Sequence, residues 1–150
     1  MSSHPITNQD ELQALIAERW GDTWKSLGVM VEGAEVTWAV GESEHFRSAR
    51  GFATTSYYGG SRCHLKFAEK ALALPRPKLD AILRHEIGHV VDFITPPDQL
   101  NSHLLDLPST RERRADAIAL HIWGSPIYYG ADLVQTTQEG LTPRPKTLGL

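Results

Sequence analysis

Apolar residues recur with a helical period between positions 79 and 94, where Leu79, Ile82, Leu83, Ile87, Val90, Val91 and Ile94 form one broad stripe. The pattern predicts a helix from about 78 to 93 or 94. Pro75-Arg76-Pro77 sets an extended entry, and Pro96-Pro97 prevents continuation. On the same helical wheel His85, His89 and Asp92 share a narrow polar strip away from the stripe. One face is therefore expected to pack into a core while the other lines a cleft.

Other segments read by the same logic. Leu12, Leu15, Ile16, Trp20, Trp24 and Leu27 mark one face of an amino-terminal helix, with a cap at Asn8-Gln9-Asp10-Glu11 and an end near Gly28. Positions 35–40 alternate, with Val36, Trp38 and Val40 on one side, as in a half-buried strand. Positions 52–58 are rich in β-branched and aromatic residues and stop at Gly59-Gly60. A third strand at 62–67 turns Cys63, Leu65 and Phe67 to one face and His64 and Lys66 to the other. Together these predict a small, mostly antiparallel sheet. A later helix begins at a Ser109 or Thr110 cap, since Ser109 and Glu112 have capping-box spacing, and runs through Trp123 to Gly124. Ala115, Ile118, Ala119 and Ile122 supply its packing stripe. A weaker helical pattern covers 127–138.

Composition narrows the class. The chain has 150 residues, 41% of them hydrophobic, which suits one domain over 1–139 followed by a proline-containing flexible tail at 140–150. The formal net charge is −3 with both signs interspersed, so neither nucleic acid nor an anionic membrane is expected as a partner. No apolar run approaches the roughly 18 residues of a membrane span, and the first residues lack a basic segment followed by an apolar one. A single cysteine excludes an intrachain disulfide and fits a reducing compartment. The expectation is a cytoplasmic protein, with Cys63 a buried structural thiol.

The polar strip carries the chemistry. Arg84-His85-Glu86-Ile87-Gly88-His89 spells His-Glu-x-x-His inside the predicted helix. Imidazoles four residues apart are offset by roughly 40° and can close on one metal ion. Zinc, one per chain, is the expected occupant, since it takes neutral imidazole nitrogen and keeps a position for water at catalytic sites. Glu86 flanks the metal without ligating it and can accept a proton from that water. For the third ligand, Glu112 and Asp116 lie one turn apart on the later helix. Glu112 is read as the ligand, and Asp116 as the acceptor that orients a ligating histidine through its outer N–H.

His85-Glu86-Ile87-Gly88-His89 followed by Glu112-Arg113-Arg114-Ala115-Asp116 resembles the signature of gluzincin metallopeptidases. The run Ala115-Asp116-Ala117-Ile118-Ala119-Leu120 is also similar to that of small ImmA/IrrE-type peptidases and minimal gluzincins. The resemblance covers about 67–126. It implies a zincin-like α+β fold, a small sheet packed on the metal helix with the glutamate helix following. It also implies that His85, His89 and Glu112 bind zinc, that Glu86 is the base, and that a protein or peptide is hydrolysed.

Competing readings separate on particular residues. A metzincin needs Gly at 92 and a third ligand at 95, where the chain has Asp92 and Thr95. A deformylase takes a cysteine ligand from a motif that the surroundings of Cys63 lack. Asp92, His103 and His121 are weaker ligand candidates. The oxyanion donor is open among Tyr57, Tyr58, Tyr128, Tyr129, His103 and His121, and the strand around His64 is a candidate free edge for an extended peptide. The tail at 140–150 is a candidate weak inhibitor of the groove. The opposing class is a non-catalytic, metal-stabilised interaction or regulatory domain, which needs the ligands but has no use for Glu86.

Overall fold

The computed structural model describes residues 9–41, 52–96, 98–100 and 110–124. In chain order it forms α1 (Gln9–Leu27), β1 (Glu35–Gly41), β2 (Ala53–Tyr57), β3 (Arg62–Ala68), α2 (Arg76–Ile94) and α3 (Arg111–Trp123), with short 3-10 turns at Gly28–Val31 and Glu69–Ala73. The class is α+β, as expected. The Asn8 cap, the helical pattern at 127–138, the tail at 140–150 and its boundary at 139, His103, Tyr128 and Tyr129 lie outside the described residues.

The apolar stripe of α2 does what its period predicts. Leu79, Leu83, Ile87 and Val90 pack with Leu12, Leu15 and Ile16 of α1 and with Cys63, Leu65 and Phe67 of β3. Val91 joins Leu27, Val31, Leu100 and Ile118 in a second cluster. α2 is thus central, with α1, the sheet and α3 around it. It begins at Arg76, ahead of the expected start, because Pro77 falls in the first turn, where no backbone donor is needed.

The sheet differs from the expectation. Successive strands do alternate in direction, but the order is β1-β3-β2. β3 pairs antiparallel with β2 and parallel with β1, where Val36 faces Cys63, Trp38 faces Leu65 and Val40 faces Phe67. The sheet is mixed rather than mostly antiparallel. The reason lies in burial: Cys63, Leu65 and Phe67 are all at 1% exposure or less, so β3 takes the central position, while β1 and β2 are only half-buried. This also overturns the free edge expected near His64, which is paired on one side with Thr37 and on the other with Ser56. Among the described residues β1 and β2 are the edge strands, and β2 is the one that lies against α2.

One smaller expectation is corrected, and one choice left open is resolved. Trp24 falls on the predicted apolar face of α1 but is 48% exposed. Thr23 is buried instead, its hydroxyl donating to the Arg19 carbonyl at 2.9 Å, so polar Thr23 lies nearer the centre of the face than Trp24. At the start of α3 the cap is Thr110, whose hydroxyl accepts from the Arg113 amide. Glu112 is thereby freed from the capping-box role and turns towards α2. Among the described residues no helix is long and apolar enough to cross a membrane.

Candidate metal centre

α3 lies so close to α2 that a Cβ added at Gly88 would sit 2.3 Å from the Ala115 carbonyl oxygen and 2.9 Å from the Ala115 Cα. Only glycine permits this approach. Ala115 lies between Glu112 and Asp116, so the contact sets both carboxylates over the histidines of α2. His85, Glu86 and His89 are themselves 5–7% exposed.

The three expected ligands converge. His85 Nε2 is 2.8 Å from Glu112 Oε1 and 3.1 Å from His89 Nε2, and His89 Nε2 is 3.2 Å from Glu112 Oε2. Zinc held tetrahedrally at about 2.0–2.1 Å separates its ligand atoms by about 3.3 Å. The three separations are each within about 0.5 Å of that, with the two histidines meeting different oxygens of Glu112, and the group His85, His89 and Glu112 could hold a metal ion.

The hydrogen-bond chemistry also calls for a cation. Asp116 Oδ1 lies 2.7 Å from His85 Nδ1, and a carboxylate only accepts, so Nδ1 carries the hydrogen. The Nε2 of a neutral His85 is then a lone pair facing a carboxylate oxygen at 2.8 Å. A proton or a metal ion between them removes the conflict. Accordingly, although burial works against charge on His85, Asp116 and Glu112 outweigh it and hold its pKa well above the ordinary 6.5. Burial likewise opposes ionisation of Glu112, yet hydrogen bonds from His85 and His89 hold it well below the usual carboxylate range. Asp116 thus accepts the outer N–H of His85. His89 Nδ1 is buried with no hydrogen-bond partner among the described residues.

Glu86 stands beside this group and outside it. The Thr55 hydroxyl of β2 donates to Glu86 Oε1 at 2.5 Å. Glu86, His89 and Glu112 line a cleft of about 300 Å3 with Ala53, Thr54 and Thr55 of β2, Phe93, and Arg111. Of the weaker ligand candidates, Asp92 is occupied by Arg114, whose Nε lies 2.9 and 3.1 Å from its two oxygens. His121 is exposed at the end of α3 and takes no part in the ligand group. Cys63 is buried at 1% exposure and burial pushes its thiol up to about 11, as expected of a structural cysteine. Tyr57 donates its hydroxyl to the Gly60 carbonyl at 2.9 Å.

Sequence reasoning passed over Thr55, Arg114, Arg111 and Gly88. The first three act through partners far along the chain and leave no local pattern. Gly88 did carry a signal, because a lone glycine inside an apolar-periodic helix costs about 1 kcal/mol and commonly marks a close approach. No protein-family model matches the chain, and no curated protein matches it.

Proposed function

We propose that the chain is a zinc-dependent metallopeptidase of gluzincin type, with a zincin-like arrangement of sheet, metal helix and glutamate helix. The observation that carries the proposal is the separation of roles on one helix. His85 and His89 converge with Glu112, while Glu86, one residue from His85, stays out of the ligand group and opens onto the cleft.

His85, His89 and Glu112 would hold zinc, and the donor set of two imidazoles and a carboxylate is one that zinc favours. When bound, the metal supplies a Lewis acid that polarises a carbonyl and lowers the pKa of water towards about 7. The chain's own residues do the rest. Asp116 keeps the His85 hydrogen on Nδ1, which fixes the ring and leaves Nε2 for coordination. Glu86 accepts a proton at its carboxylate and returns it to the leaving amine. Thr55 holds Oε1, which leaves Oε2 free for that transfer.

The edge of β2 suits an extended substrate. Tyr58 N donates to the Arg62 carbonyl and Ala68 N to the Phe52 carbonyl, so in the alternating antiparallel pattern the even-numbered residues bond to β3. Ala53, Thr55 and Tyr57 therefore turn their amides and carbonyls outwards, beside the cleft. A peptide can add there as a further strand. A metal-stabilised interaction or regulatory domain without catalysis would account for the ligands but not for Glu86.

The test is Glu86→Gln in zinc-loaded protein against a peptide library. The variant should keep its fold and zinc and lose roughly 100- to 10,000-fold in turnover, the span of a general base. Comparable turnover in the two proteins would overturn the mechanism.

A further inference from the structure

Arg111 opens α3 and stands on the cleft wall next to Glu112. Its guanidinium carbon lies 4.5 Å from the centroid of the Phe93 ring, an interaction that restrains the side chain over the aromatic face. Phe93 is itself stacked on Tyr57 of the edge strand, with centroids 5.2 Å apart and planes within 3°. The guanidinium is thus carried by a rigid aromatic pair that joins α2 to β2. Its side chain remains 59% exposed.

Among the described residues the charge on Arg111 has no partner at hydrogen-bond distance. The nearby carboxylate, Asp92, is engaged by Arg114 at 2.8 Å, and Arg111 Nη1 comes only to 3.6 Å from its other oxygen. That separation is beyond hydrogen-bond length. Among the described residues, two guanidinium groups around one carboxylate leave a net positive charge beside Phe93, in contrast to the carboxylates of Glu86 and Glu112 elsewhere on the cleft wall.

We propose that Arg111 forms an anion subsite that takes a carboxylate of the substrate. A planar, permanently charged fork restrained on an aromatic ring matches a carboxylate through two parallel hydrogen bonds. Its place along the cleft follows from α2. Phe93 lies one helical turn past His89, about 6 Å along the axis, or two residues of an extended chain at about 3.3 Å each. Under the peptidase reading, on which this placement rests, the recognised carboxylate lies about two residues from the bond cleaved. An acidic side chain and a free chain terminus share that chemistry.

The experiment reads binding without turnover, so it stands apart from the fate of the peptidase reading. The Arg111 Nε–H resonance of 15N-labelled full-length protein is followed by NMR. Three small probes are added in turn: N-acetylglutamate amide, N-acetylalanine with a free carboxylate, and neutral N-acetylglutamine amide. Saturable shifts with one or both carboxylates and none with the neutral probe are expected, and the stronger of the two identifies the source. Arg111→Gln, with its fold checked by circular dichroism, should weaken carboxylate binding at least tenfold, as read from backbone amides lining the cleft. Arg111→Lys should retain part of the binding, and serves if the glutamine variant does not fold. Absence of a saturable shift, equal response to the neutral probe, or unchanged affinity in both variants would overturn the proposal.

Discussion

Replacing Gly88 by alanine tests how the site is built. In an exposed helix the substitution would stabilise by about 1 kcal/mol through propensity. Here the new methyl would lie 2.3 Å from the Ala115 carbonyl oxygen. Ordinary van der Waals contact begins near 3.4 Å, so α3 must retreat by about 1 Å or α2 must distort. Overpacking of this kind costs about 1–3 kcal/mol, which cancels or exceeds the propensity gain. The larger effect falls on the ligands. Glu112 is borne by α3 and His85 and His89 by α2, so a retreat of that size opens the 2.8 and 3.2 Å separations between them. A metal held by these three residues would then lose ideal geometry at Glu112. Zinc affinity, measured by competition with a chromogenic chelator, should fall at least tenfold, while chemical denaturation shows a net stability loss of up to about 2 kcal/mol. Gly88→Ala with raised stability and unchanged zinc affinity would refute the claim that this contact sets the site.

One further substitution and one pH dependence follow from the same geometry. Asp116→Ala removes the acceptor of the His85 Nδ1 hydrogen and should weaken zinc binding about 10- to 100-fold with the fold intact; undiminished affinity would leave Asp116 as an ordinary partner of a buried histidine. In the metal-free protein, the raised pKa of His85 gives stability fully present below 6.5 and lost as pH rises through the raised value. The lowered pKa of Glu112 gives stability present above 4.5 and lost as pH falls through the lowered value. Apoprotein Tm should therefore be highest between 4.5 and 6.5. Zinc must displace the His85 proton, so the gap between zinc-loaded and apoprotein Tm should widen as pH rises above that window. A gap that stays constant with pH would contradict the proton–metal exchange.

What the sequence made legible was local. The stripe from Leu79 to Ile94 and the two histidines four residues apart are properties of one helix, and the helix places them as its period requires. The alternation of Cys63, Leu65 and Phe67 is a property of one strand, and those residues are buried as predicted. Strand order is different, because it depends on which partner each strand finds across the sheet. β1 and β2 have weaker alternation than β3, and nothing in either announces that β3 would stand between them. The same limit explains Thr55, whose contact with Glu86 joins strand to helix across 31 residues. It explains Asp92 too, which a wheel places on the histidine strip but which Arg114 claims from another helix. The sequence left the cap open between Ser109 and Thr110, one residue apart; with Thr110 as the cap, Glu112 faces His85 and His89.

The central claim is that His85, His89 and Glu112 are the protein ligands of one zinc ion. The most direct measurement is anomalous diffraction collected on both sides of the zinc absorption edge from crystals of the zinc-loaded protein. A single peak is predicted at about 2.0–2.2 Å from His85 Nε2, His89 Nε2 and a Glu112 carboxylate oxygen, with Glu86 beyond coordination distance. A peak away from these atoms, or one ligated by Asp92 or Asp116 in place of Glu112, would contradict it.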